Sequence, residues 1–518
     1  MDMFIKLAML VVFFGTMIGI GLYCRKHSTD VNGFVLGGRS VGPWLTAFAY
    51  GTSYFSAVVF VGYAGQFGWK YGIAATWAGI GNAILGSLLA WAVLGRRTRV
   101  MTQHLDSATM PQFFEKRFDS KALKLAASAV IFIFLIPYTA SLYNGLSRLF
   151  GMAFDIDYSV CVIVMAVLTG IYVIAGGYMA TAINDFIQGI IMIGGIIAVI
   201  AAVLKGQGGF LEALDKLGQV SDPAVSTTPG VFASFFGPDP VNLLGVVVLT
   251  SLGTWGLPQM VQKFYAIKNE QAINKGLIIS TLFALVVAGG CYFLGGFGRL
   301  FSAQVDIAAG GYDSIIPTML SGLGTVLIAV VVILVLSASM STLSSLVLTS
   351  ASTLTLDFIK GTLDKDMDEK KQLSTMRMLI VVFIAVSVVL AIVQYKSSVT
   401  FIAQLMGVSW GALAGAFLAP FLFGLYWKRT TKEAVWASFI FSTVVMLANT
   451  VVKSSFPVIL QSPINAGAFC MIAGLVIVPV VSLVTRKPDQ ALINEVFSCY
   501  ERKVLVSVKD SIGETEEA

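Results

Sequence analysis

The sequence predicts an all-α polytopic membrane protein with about thirteen transmembrane helices. Three observations carry this expectation. Apolar residues make up 57% of the chain and charged residues only 12%, where a soluble protein carries about 25% charge. Mean hydropathy is +0.84. Apolar runs of membrane-spanning length recur along all 518 residues, and backbone groups in lipid must be satisfied within the chain, which favours helices.

Numbered 0 to 12, the spans are expected at 3–24, 41–66, 71–95, 123–149, 156–178, 183–204, 241–264, 274–300, 317–359, 374–395, 398–426, 432–454 and 463–485. The first lacks a small-residue cleavage site and is long enough to span, so it reads as a retained helix rather than a signal peptide. The segment 317–359 is long for one crossing, and its ends are expected to project from the bilayer. Lysine and arginine set the orientation. With the N-terminus outside and the C-terminus in the cytoplasm, 26 of the 34 basic residues fall on the inner side. These include Arg25, Lys26 and Arg39, then Lys263, Lys268 and Lys275, and the tail from Arg486. The net charge of +6 therefore follows topology and predicts no nucleic-acid partner.

Two spans carry weak points. Span 1 reads AFAYGTSYFSAVVF, with Gly51, Thr52 and Ser53 in its middle. Span 6 reads LTSLGTWGLPQMVQ, with Gly253, Gly256 and Pro258 close together. Gly and Pro at membrane depth free backbone groups that must find partners. The breaks lie five spans apart, in helices that cross in opposite directions. Two inverted five-helix repeats, each opened by a broken helix, form a pattern associated with secondary transporters. The division is then 1–40 for an accessory helix and first inner loop, 41–204 for the first repeat and 205–240 for an outer loop. The second repeat is 241–426, accessory helices fill 427–485, and 486–518 is a cytoplasmic tail.

Residues 337–345 read SASMSTLSS inside an otherwise apolar segment. At about 100° per residue, Ser337, Ser341, Ser344 and Ser345 share one helix face, with Thr342 at its margin and Ser339 pointing away. Small hydroxyl residues let membrane helices pack closely and hydrogen-bond, so packing alone would explain the stripe. Asp185, in ATAINDFIQGIIM, adds an acid at the edge of an apolar span with no base beside it in sequence. It reads as a helix N-cap near the interface or as a functional carboxylate. One carboxylate with several hydroxyl and carbonyl oxygens suits Na⁺, whereas a divalent ion usually recruits more carboxylates.

Other classes fit poorly. No charged ring or filter points to a channel. The tail after residue 486 is too short for a signalling domain. The five cysteines are scattered with no CxxC pair, and His27 and His104 form no cluster, so neither a metal site nor an enzyme is indicated.

At VLGGRSVGPW (35–44), MPQFFEKRF (110–118), IAGGYMATAINDFIQG (174–189), SASMSTLSS (337–345) and GLYWKRT (424–430), the chain resembles the solute:sodium symporter family. That family includes sodium-coupled sugar, proline, pantothenate and sialic acid transporters. The resemblance implies a leucine-transporter-like fold of two inverted five-helix repeats with broken helices 1 and 6. It implies import of a small organic solute with Na⁺ by alternating access. Its common sodium site maps onto the carbonyls of Thr52, Phe55 and Ala338 and the hydroxyls of Ser341 and Thr342. A second sodium site, found in sialic acid transporters, maps onto Asp185, Ser341, Ser344 and Ser345, so two Na⁺ sites are expected. A proton-coupled symporter using Asp185 is the alternative.

By the same resemblance, solute binds near the midplane, with Ser56, Trp77, Tyr138, Thr254, Trp255 and Gln404 as candidate lining. Proline transporters of the family carry an acid where this chain has Tyr54, and aromatics where it has Thr250 and Thr254. Sialic acid transporters carry an arginine where it has Tyr138. With no lysine or arginine expected at pocket depth, a neutral or amino-acid-like zwitterionic solute is favoured. A small carboxylate held by helix N-termini, or a sugar, stays open, and oligomeric state is not legible.

Overall fold

The computed structural model describes residues 2–154, 157–307, 311–397 and 402–501. The described residues are helical with no strand, beyond two isolated bridges. Among the described residues, ten helices are long and apolar enough to cross a membrane, or eleven when a pair bent by 45° counts as one.

The long elements run in order. Helix α1 is Asp2–Cys24 and α2 is Pro43–Thr52. The helical run α3, Val58–His104, takes in the second half of expected span 1 and all of span 2. Helix α4 is Lys121–Phe154. Helix α5, Tyr158–Gly206, contains both expected spans 4 and 5. The bent pair is α6, Pro240–Gly256, and α7, Pro258–Ala266. Then come α8, Glu270–Gly295; α9, Thr325–Thr353; α10, Glu369–Ser397; α11, Ile402–Tyr426; α12, Lys432–Val451; and α13, Pro463–Val484. The start of expected span 10, at 398–401, and the tail beyond 501 lie outside the described residues. The described part of that tail carries a short helix, Gln490–Phe497.

Three local features shape the centre. Helix α2 stops at Thr52, and residues 53–56 are non-helical before the chain coils again. The cause lies in Gly51, Thr52 and Ser53. Glycine weakens the helix, and the Thr52 and Ser53 hydroxyls donate to the Phe48 and Ala49 carbonyls one turn back, competing with the ladder. The second feature is the α6–α7 bend. Pro258 has no N–H to donate, and Leu257 before it is extended at φ −76°, ψ 123°. The third is Gly177 in α5, at φ 55° and ψ −146°, a conformation closed to residues with a Cβ. It kinks α5 so that its second half, with Asp185, passes α2. At Gly189 the approach is so close that a Cβ would lie 2.4 Å from Phe48 Cδ1 and 3.1 Å from Thr52 Cγ2.

Helix α9 is the central post. Every residue from Val331 to Thr353 is buried, including all the hydroxyls of SASMSTLSS, because α4, α5, α10 and α1 pack around it and α2 meets it at the break. A helix buried all round has no polar face to spare, so Ser341, Thr342, Ser344 and Ser345 find partners inside, while Ser337 and Ser339 Oγ have none among the described residues.

Several motif residues turn out to hold the fold. Arg117 of MPQFFEKRF donates from Nε to the Gly424 carbonyl at 2.8 Å and from Nη2 to the Trp427 carbonyl at 3.1 Å. It thereby closes the last turn of α11 in GLYWKRT. Arg39 of VLGGRSVGPW donates to the Ser107 carbonyl at 2.6 Å. These guanidiniums sit where carbonyl ends of helices gather. Part of the basic excess on that face is therefore structural.

Candidate functional site

The break after Thr52 faces the hydroxyl stripe of α9. In an unbroken helix the Thr52 carbonyl would accept from an N–H four residues on. Here it accepts from two side chains: Ser341 Oγ at 3.0 Å and Thr342 Oγ1 at 3.1 Å. The same two hydroxyls donate to the Ala338 carbonyl, each at 3.1 Å. Four oxygens, two carbonyl and two hydroxyl, thus converge from two helices, and all four residues are buried. Phe55, the remaining member expected there, lies in the non-helical stretch beside them. The set carries no formal charge. Its donors are hard oxygens, two from backbone carbonyls and two from side-chain hydroxyls, which suits a monovalent hard cation.

The second set differs. Asp185 is fully buried on α5, and neither carboxylate oxygen has a hydrogen-bond partner among the described residues. Ser345 Oγ shares a 2.8 Å hydrogen bond with Ser53 Oγ, which links this cluster to the α2 break. Ser344 Oγ donates to the Ser341 carbonyl at 2.9 Å, and Tyr172 donates to the Met340 carbonyl at 3.0 Å. Among these groups stands a residue that the sequence reading left in an inner connection. Lys263, on α7, has its side chain only 2% exposed. Its Nζ donates to Ser345 Oγ at 3.1 Å and lies 3.8 Å from Asp185 Oδ2. The Tyr178 ring centroid is 5.0 Å from the same Nζ.

One expectation is therefore corrected: Asp185 has a base beside it in space, at the serine cluster. The two residues are 78 positions apart in sequence, and only the α6–α7 bend and the α5 kink bring them together. One signal was present: Lys263 falls inside the expected span 241–264, where a charge is costly and marks function.

The candidate solute residues separate. Ser56 and Tyr138 are buried near the centre. Tyr138 packs edge-on against Trp410, ring centroids 5.9 Å apart, and Tyr54 lies 6.2 Å from the same indole. Thr254 sits between α6 and α3, donating to the Gly86 carbonyl at 2.8 Å. Trp255 donates to the Leu85 carbonyl at 2.8 Å. Both act as ties between helices. Trp77 is away from the centre, its indole donating to the Phe235 carbonyl of the 205–240 segment at 2.9 Å. Gln404 is half-buried near the start of α11.

Around Tyr138, a candidate from the sequence, the structure gathers buried polar side chains that sequence reasoning did not single out. Tyr54, Tyr138, Tyr143, Tyr292, Asn82 and Trp410 each bury a polar atom. Tyr54 neighbours Tyr138 and Tyr292. The Tyr138 hydroxyl faces the Trp410 indole and Ser56, and the Tyr292 hydroxyl faces the Asn82 amide and Thr250, so these buried polar ends are partly matched to one another. The void beside Phe55, Ser56 and Ala338 holds only about 10 Å³. A separate cavity of about 850 Å³ opens at the 205–240 face, lined by Trp69, Lys70, Asp222, Asp239, Asn242 and Arg299. There Arg299 pairs with Asp222 at 2.8 Å and stacks on Phe232 at 3.9 Å.

Comparison with known proteins follows this geometry. The model of the sodium:solute symporter family matches residues 34–441. The chain belongs to that family. Its members are transporters, not enzymes, and the chain is a multi-pass membrane protein. The osmoregulated proline transporter OpuE of Bacillus subtilis (strain 168) is 28% identical over 486 residues, 93% of this chain and 95% of that one. A sodium/proline symporter of Staphylococcus aureus (strain JH9) is 29% identical over 449 residues, 85% of this chain and 84% of that one. A Na⁺-coupled sialic acid symporter, solved in a substrate-bound outward-open state, superposes with a TM-score of 0.74 at 16% identity. That match covers 94% of this chain and 98% of the other, and it shows a shared fold.

Proposed function

We propose that this family member imports a small zwitterionic solute, of the class of proline, together with Na⁺ bound at Thr52, Phe55, Ala338, Ser341 and Thr342. The observation that carries the reading is the pair of hydroxyls, Ser341 and Thr342, each sharing the carbonyls of Thr52 and Ala338 at 3.0–3.1 Å. In Na⁺ these hydroxyls turn their lone pairs toward the ion and the carbonyls become co-ligands. Because Thr52 opens the break in α2, the ion orders the segment 53–56, and with it Tyr54 and Ser56, which neighbour Tyr138.

The proline transporters among the relatives suggest the solute class, and the side chains around Tyr138 are consistent with it. Aromatic faces of Tyr54, Tyr138 and Trp410 suit a compact apolar ring or side chain, and the phenols and amide suit its polar end. The breaks in α2–α3 and α6–α7 open two inverted repeats, 41–204 and 241–426, whose rocking alternates access. Thirteen crossings, with the N-terminus outside and the C-terminus in the cytoplasm, complete the proposed topology. Proton coupling through Asp185 is the alternative reading, and uptake that persists without Na⁺ and tracks pH would favour it.

The test is uptake of radiolabelled L-proline into proteoliposomes under an inward Na⁺ gradient, against the same gradient of K⁺. Uptake in Na⁺ alone, lost in Thr342→Ala, is expected. Equal uptake with either cation would refute sodium coupling, and Na⁺-dependent stabilisation without proline uptake would redirect the solute. Whether Asp185, Ser341, Ser344 and Ser345 take another Na⁺ turns on Lys263.

A further inference from the structure

We propose that the Lys263 ammonium is the built-in cation of the Asp185 cluster, so that the protein carries one Na⁺ per cycle where that cluster would otherwise take a second. The inference rests on the sodium reading of the Thr52 set and names what fills the neighbouring one. It stands on geometry. Lys263 Nζ is 3.1 Å from Ser345 Oγ and 3.8 Å from Asp185 Oδ2, so it touches two of the four residues that would ligate the ion. It uses the same acceptors that Na⁺ would use, one carboxylate and a hydroxyl. The pair is sealed, with side chains 2% and 0% exposed. Among the described residues neither partner has another ion pair. One carboxylate therefore faces one cation already, and a Na⁺ added there would share that carboxylate with a buried ammonium and be repelled by it.

Lys263 is also held in place. Its stem belongs to α7, five residues after Pro258 fixes the bend, and the Tyr178 ring lies 5.0 Å from the ammonium. The Thr52 set presents the opposite case. No charged side chain is among its ligands, and its oxygens wait on two helices. A lysine differs from a bound ion in one respect that matters for coupling: it cannot leave. It neutralises Asp185 in every state of the cycle and contributes no charge to the net transport. It also ties α7 of the second repeat to α5 of the first.

The experiment counts ²²Na⁺ bound to the purified full-length protein without solute. One Na⁺ per chain is expected in the parent, and a large loss in Thr342→Ala. Lys263→Gln should gain a second ion, and Asp185→Asn/Lys263→Gln should return to one. A parent that binds two ions, or a folded Lys263→Gln with the parent's count, overturns the proposal. If Lys263→Gln does not fold, the double variant decides, because it carries no unpaired charge. An unchanged count between parent and double variant supports the proposal, and loss of one ion overturns it. If the parent binds none, the Thr52 reading fails. An ion gained in Lys263→Gln would then still support the lysine, and none gained would end both.

Discussion

Two oxygen clusters lie side by side on one helix face and are built on opposite principles. Around Thr52, Ala338, Ser341 and Thr342 there are four neutral oxygens at hydrogen-bonding distance and no charge. Around Asp185 and Ser345 there is a buried carboxylate whose cation, Lys263, comes with the chain. Serines four residues apart, Ser341 and Ser345, serve the two. The comparison teaches that a serine stripe does not by itself count ions. What counts them is the charge already present within reach.

The largest effect that could break the comparison is on accumulation. Each Na⁺ entering at about 100 mV releases about 2.3 kcal/mol, and a tenfold gradient adds about 1.4 kcal/mol. One ion gives on the order of 3.7 kcal/mol, or roughly 500-fold accumulation of a neutral or zwitterionic solute. Two ions would give roughly 10⁵-fold. The parent should therefore plateau near the lower ceiling for L-proline in proteoliposomes, and a plateau well above it would put two ions on the parent.

Next in size is the stability of the charged cluster. Asp185→Asn alone strands a buried ammonium and should cost about 3–5 kcal/mol, read as a lower unfolding temperature in detergent. Adding Lys263→Gln should recover most of that loss. A single variant as stable as the parent would mean that the pair does not interact. At the neutral cluster, Thr342→Ala removes one of four oxygens and should weaken Na⁺ affinity about a hundredfold, near 2.8 kcal/mol, enough to lose the Na⁺ effects, without a comparable loss of stability. Ser53→Ala, which removes the 2.8 Å link between the clusters, should cost only about 1 kcal/mol.

The smallest effect serves as a control far from both clusters. The Arg299 guanidinium holds the Asp222 carboxyl below its usual range at the 205–240 face. A carboxyl depressed by folding contributes stability above its unfolded pKa of about 3.9, and that contribution is lost as pH falls through the lower folded value. Asp222→Asn should therefore remove a small stabilisation at neutral pH and flatten the acid limb of stability, leaving Na⁺ binding unchanged.

Much of this was legible in the chain. Hydropathy predicted the membrane class, and Gly51 to Ser53 and Pro258 marked where helices give way. The serine spacing put Ser341 and Ser345 on one face. The rest depended on tertiary geometry. Lys263 looked like an inner-face charge because flanking residues say nothing of the bend that aims it at α9. Asp185 looked unpaired because its partner is distant in sequence. Trp77 looked like a pocket residue by its place in span 2, yet it ties down residue Phe235. Tyr54, Tyr292, Asn82 and Trp410 gave no pattern in sequence. They stand out only once their polar ends are seen buried together.

The most direct test of the central claim is thermal unfolding of the purified protein against NaCl, with KCl holding ionic strength constant. A ligand that binds only the folded form raises stability by mass action. The account predicts stabilisation by Na⁺ over K⁺ in the parent, retained in Asp185→Asn/Lys263→Gln and lost in Thr342→Ala. Identical curves in Na⁺ and K⁺ for the parent, or loss of the Na⁺ effect in the double variant alone, would contradict it.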